Sequence, residues 1–197
     1  MGNVVGGSWK GISYMRAKAS SVANPRTDGQ MGQRSKFALV LGILKPITGF
    51  IRVGYKRYTT KQTAFNAAMS YILNNAITGV FPDFSVDLSK VLVSRGNLTV
   101  ASGAQALATS GSIGLTWTDN SGSNNALATD KALVVVLNPL RAEAVYETAG
   151  SQRATGAHEI AVPADWLGES VEVFLGFIAE DGKDLANSVY LGSVEVV

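Results

Sequence analysis

Apolar residues change their spacing twice along the chain, and each change marks an element boundary. In residues 1–28 they are scattered among Gly2, Gly6, Gly7 and Gly11 with no helical period, and Asn24-Pro25 is a turn signal. An extended arm is predicted there. From Phe37 to Val53 the side chains Phe37, Leu39, Val40, Leu41, Ile43, Leu44, Ile47, Phe50, Ile51 and Val53 surround a helix axis almost completely. That helix should be buried on most sides and broken at Pro46, and a monomer of this size is not expected to bury it alone. A further helix is marked by Thr59 as N-cap, Gln62 as its capping-box partner, and Phe65, Met69, Ile72, Leu73, Ala76 and Ile77 along one face. It is expected to end at Gly79, with Pro82 preventing any continuation.

Beyond Ser85 the spacing falls to two. Strands are predicted over residues 86–94, 98–101, 112–118, 132–138, 142–148, 154–162, 170–179 and 188–196, separated by clusters of Gly, Ser, Asn and Asp. Val171, Val173, Leu175 and Phe177 alternate with Glu172, Phe174, Gly176 and Ile178, as on a sheet with two distinct faces. The fold class is therefore α+β: an extended basic arm (residues 1–28), a helical segment (29–82) and an antiparallel β-sandwich (83–197).

Two resemblances follow from particular segments. SIGLTWTDN, HEIAVPADW and SVEVFLGFIAEDGKDLANSVYLGSVEV resemble a fibronectin type III or immunoglobulin-like sandwich, with Trp117 on an early strand and the acidic-Gly turn Glu180-Asp181-Gly182 before the last one. GSWKGISYMR, FNAAMSYILNNA and FIAEDGKDLANSVYLGSVEV together resemble a domain family of unknown function, of about this chain's length, common in Bacteroidota and their mobile elements. The first resemblance implies a fold and the second a membership. Neither implies a catalytic or binding residue.

Charge adds what periodicity cannot. Residues 1–62 carry eleven basic side chains against Asp28 alone, a formal +10, whereas residues 63–197 carry six basic and fourteen acidic ones, a formal −8. Such polarity suits a polyanionic partner or a head-to-tail contact between copies. Chemistry, by contrast, is sparse. The chain has no cysteine, which excludes disulfides and thiolate metal sites. His158, the single histidine, reads as a surface or strand-edge residue beside Glu159. Ser8 in GGSWKG and Ser112 in SGSIG miss the G-x-S-x-G elbow, and no P-loop or G-x-G-x-x-G turn occurs. The stretch from Asp119 to Asp130 has its glycine in the wrong place for a calcium loop, and the Asn97-Leu98-Thr99 triplet lacks a secretory context. No enzyme, cofactor or metal is expected.

No signal-peptide h-region lies in residues 1–36, and KFALVLGILKPITGFIRVGYKRY is too interrupted by charge and Pro46 to span a membrane. Synthesis in the cytoplasm is expected, with a place in a virion or an exported filament compatible with it. The arm is the remaining candidate. Val4, Val5, Trp9, Ile12 and Tyr14 are read as subunit contacts, and Lys10, Arg16, Lys18, Arg26, Arg34 and Lys36 as contacts to an acidic neighbour or to phosphates. The expected function is a self-assembling structural subunit of a filament, tube or bacteriophage particle, a homo-oligomer joined head to tail by arm exchange. The alternatives are a nucleic-acid-binding protein using the same arm, and a protein- or glycan-binding immunoglobulin-like module presenting an aromatic cluster around Trp166.

Overall fold

The computed structural model describes residues 3–9, 11–21, 24 and 26–197, and the chain divides into two compact units, residues 1–31 and 32–197. In the first unit the predicted arm is a β-hairpin, β1 (Val4–Trp9) paired antiparallel with β2 (Ile12–Ala17). Gly6 and Gly7 within β1 interrupt the alternation of Val, Trp, Ile and Tyr, which weakens the strand signal in the sequence.

Helix α1 (Asp28–Leu44) starts in the first unit and runs into the second; after the break at Lys45-Pro46, α2 (Thr48–Gly54) leaves at 87° to it. Helix α3 (Ala64–Asn75) is capped by Thr63, whose hydroxyl accepts the Asn66 N–H at 3.1 Å. This corrects the expected cap at Thr59, which instead donates to Lys56 O after a short 3-10 turn, while Gln62 Nε2 donates to Tyr58 O. Between the two threonines Lys61 takes a positive φ of 64°, so the helix cannot begin until the chain has turned past it. Helix α3 also ends before Gly79. A hairpin of β3 (Ile77–Val80) and β4 (Asp83–Val86) follows directly.

Of residues 86–94, expected as a strand, only Val86 lies in β4; the rest form a 3-10 turn at Leu88–Lys90 and an irregular segment. Its inward side chains Val91 and Val93 are nevertheless buried. Residues 98–101 reduce to a single parallel bridge, Leu98 to Ala186. The remaining strands make two antiparallel sheets. One orders β5 (Ser102–Thr109), β6 (Ser112–Thr118) and β9 (Ala157–Ala161) as β5-β6-β9; the other orders β7 (Lys131–Asn138), β8 (Glu143–Glu147), β10 (Ser170–Ile178) and β11 (Val189–Glu195) as β11-β10-β7-β8.

The four-stranded sheet is buried on both faces, which explains the unbroken run ALVVVL in β7. Val134 and Val136, with Val171, Val173, Leu175 and Phe177 of β10, meet Ile113, Leu115 and Trp117 of the three-stranded sheet. On the opposite face Leu133, Val135, Leu137, Phe174 and Ile178 pack on Val40, Leu44, Ile47, Phe50 and Ile51 from α1 and α2, and on Met69 and Ile72 from α3. The unit is thus three layers: helices, four-stranded sheet, three-stranded sheet. The expectation that a monomer cannot bury the apolar helix is overturned, because the bend at Pro46 wraps it onto the chain's own sheet. Only Phe37 and Leu41, at 45% exposure each, keep substantial surface from that run.

Candidate assembly surface

Strand register sorts the predicted contact residues by face. Cross-strand partners share a side and neighbours alternate, so the pairs Val5 with Arg16, Gly7 with Tyr14, and Trp9 with Ile12 fall on one face of the hairpin, and Val4 with Ala17 and Gly6 with Met15 on the other. Four of the five predicted side chains, Val5, Trp9, Ile12 and Tyr14, are gathered together with Arg16; Val4 stands opposite. Gly7 is needed for this arrangement: a Cβ there would lie 2.9 Å from the Tyr14 ring, which rests over β1. All five side chains are exposed, with Trp9 at 67% and Ile12 at 71%.

The predicted basic set is less unified. Arg16 sits on the apolar face just described, Lys18 and Arg26 are exposed beyond the hairpin, and Arg34 is exposed on α1. Lys36 is half-buried, its ammonium 4.5 Å from the Phe84 ring centroid. That contact places it in the helical layer's packing. Lys10 lies outside the described residues.

Other polar clusters hold the fold together. Arg153 is fully buried: its Nε donates to Asp130 Oδ2 at 3.1 Å, Nη1 to Asn120 Oδ1 at 2.7 Å and Nη2 to Thr99 O at 2.8 Å, with the guanidinium 3.8 Å from the Phe177 centroid. Burial pulls its pKa down from the usual arginine value, and Asp130 opposes that. The calcium-like stretch is thereby explained. Asp130 faces Arg153, Asp119 accepts the Ser121 N–H in a local turn, and among the described residues no three His, Cys, Asp or Glu side chains gather as a metal site. Arg141 bridges Glu169 (2.7 Å) and Asp165 (2.6 Å). The Arg141 and Asn138 hydrogen bonds hold the Glu169 carboxyl below its ordinary pKa.

His158 is on β9, an edge strand as expected, but it is not the surface residue also allowed for: its ring is nearly buried against the neighbouring sheet. Nδ1 accepts the Ser151 main-chain N–H at 3.2 Å, lies 3.0 Å from Ser151 Oγ, and Nε2 lies 3.0 Å from Glu147 Oε2 on β8. Accepting a main-chain amide at Nδ1 leaves the ring proton to Nε2, which lies close to Glu147 without making a hydrogen bond to it. The three residues span the seam between the sheets, a relationship the sequence reading missed because it saw only Glu159 next door. Trp166, expected as the centre of an exposed aromatic cluster, is buried, with Nε1 donating to Glu143 Oε2 at 3.2 Å. The apolar face required by the binding-module alternative is therefore not found around it.

Among the described residues no single helix is long and apolar enough to cross a membrane. A model of a family of unknown function (DUF6266) matches residues 1–192. No curated protein matches the chain.

Proposed function

The chain belongs to the DUF6266 family, a family of unknown function, and we propose that it is a non-enzymatic structural subunit that assembles by exchanging its N-terminal hairpin with a second copy. One observation carries this reading: Val5, Trp9, Ile12 and Tyr14 share one exposed face of a two-stranded hairpin. Two strands alone are marginal in water, and exposed aromatic and branched side chains at this density mark a contact surface. Covering them would contribute about 2 kcal/mol each before ordering costs.

The occupant is another copy because the charges match. The basic first third, with Lys10, Arg16, Lys18, Arg26, Arg34 and Lys36, complements the net negative remainder of the next molecule. Such a heterologous contact builds a filament or tube if it does not close, and a ring or shell if it does. Trp117, packed edge-on to Phe177 at 5.5 Å between the sheets, supports the immunoglobulin-like reading of the sandwich.

Light scattering after size exclusion, on nuclease-treated protein at low and high salt, tests the proposal. Particles larger than a monomer, lost in the Trp9→Glu/Ile12→Glu variant, are expected. A monomer under every condition refutes it. Exposure of Trp9 and Tyr14 beside Arg16 also favours the second reading, single-stranded nucleic acid. In that case the protein enlarges only when nucleic acid is restored, and affinity falls steeply with salt.

A further inference from the structure

Arg95 sits in a different environment from the other well-placed arginines. Arg153, Arg141 and Arg57 each meet a carboxylate, from Asp130, Glu169 with Asp165, and Asp184 respectively. The Arg95 guanidinium meets two aromatic rings instead: its central carbon is 4.5 Å from the Tyr58 centroid and 5.0 Å from that of Tyr71. Among the described residues neither a hydrogen bond nor an ion pair engages the N–H groups of its guanidinium.

The backbone fixes this placement. Arg95 N–H donates to Gly54 O at 3.0 Å, tying the irregular segment to the end of α2, and Gly54 permits the approach because a Cβ there would be 2.4 Å from Val93 O. The rings are held as well. Tyr58 lies 6.0 Å from Tyr55, whose hydroxyl donates to Leu92 O at 2.9 Å, and Tyr71 projects from α3.

A cavity of about 300 Å³ opens here, lined by Tyr58, Gln62, Ser70, Tyr71, Asn74 and Arg95 among others. That volume is at the lower end of small-ligand sites. No carboxylate lines it, and residues 29–82 contain no Asp or Glu. The wall is rich in donors. Gln62 gives one side-chain N–H to Tyr58 O at 3.2 Å and keeps a second, Asn74 gives its amide to Ser70 O at 2.7 Å and to Ser70 Oγ at 3.4 Å, and Ser70, Tyr58 and Tyr71 carry hydroxyls. The ring contacts use none of the guanidinium's N–H groups, and that fork matches the paired oxygens of a carboxylate or phosphate.

We propose that the Arg95 cavity binds the oxyanion group, carboxylate or phosphate, of a small ligand. The site is independent of the hairpin and of the assembly reading. Calorimetric titration of the full chain with inorganic phosphate, with acetate, and with chloride at matched ionic strength tests it. One saturable site is expected for phosphate or acetate and none for chloride; whichever anion saturates names the group. Binding should weaken roughly tenfold in Arg95→Lys, which keeps the charge without the fork, and vanish in Arg95→Gln. Should Arg95→Gln fail to fold, Asn74→Asp, an exposed change that adds a like charge to the wall, is expected to abolish binding in a folded protein. Absence of saturation by either oxyanion, or undiminished binding in the folded variants, overturns the proposal. A change in assembly mass on Arg95→Gln without small-anion binding also overturns it, in favour of an acidic side chain from a second copy.

Discussion

Arg153 Nε lies 3.1 Å from Asp130 Oδ2 with both side chains fully removed from solvent, and Asn120 and Thr99 each accept one further N–H of the guanidinium. Breaking one side of such a pair leaves the other charge stranded. Asp130→Ala is expected to destabilise the protein by about 3–5 kcal/mol, measured by urea unfolding, whereas an apolar replacement of both partners should recover most of that loss. Equal losses in the single and double variants would show that shape, not charge, decides.

The bend at Pro46 predicts unequal costs within one apolar run. Phe50 is fully buried against the four-stranded sheet, so Phe50→Ala should cost about 3–5 kcal/mol. Phe37 is half exposed, and Phe37→Ala should cost no more than about 1 kcal/mol. The same denaturation series measures both, and a larger cost for Phe37 would mean that its face is covered in solution.

Glu169 gives a pH prediction. Hydrogen bonds from Arg141 and Asn138 depress its pKa, so the stabilisation is complete above the unfolded-state value and is lost as pH falls through the folded one. The stability difference between the natural protein and Glu169→Gln should therefore shrink on acidification from about pH 5 to pH 3, the range in which carboxyls titrate. Melting temperatures across that range measure it, and a constant gap would remove the ion pair from the explanation.

Gly150 lies against the His158 ring, where a Cβ would approach Cε1 to 2.9 Å. Gly150→Ala must push the imidazole away from Ser151 or Glu147, at an expected cost of about 1–3 kcal/mol. Combining it with His158→Ala should cost less than the two separately, since both act on one seam. Additive losses would place the strain elsewhere.

Removing residues 1–28 should leave the circular dichroism and melting of the remainder unchanged while abolishing assembly, because residues 32–197 form their own compact unit. Intact assembly in the truncated chain would refute hairpin exchange.

Strands β6, β7 and β10 were legible because branched and aromatic residues dominate them and their ends carry turn residues. Strand β5 was not: its inward positions Ala104, Ala106 and Ala108 alternate correctly but are too small to carry a strand signal. The caps illustrate another limit. Thr59 and Thr63 are equally good on paper, and only the positive φ at Lys61 chooses between them. The apolar content of the arm was visible, but its division into faces needed the register that pairs Val5 with Arg16. The Arg95 cavity was invisible because it joins a 3-10 turn, a helix and an irregular segment that share no local pattern.

Strand β7 belongs to two cores at once, giving Val134 to the sandwich and Val135 to the helical layer. Neither layer can melt without stripping a face from the strand on which the other depends. Cooperativity over residues 32–197 is thus built into one run of six side chains, and a subunit of this design would enter an assembly as a rigid brick.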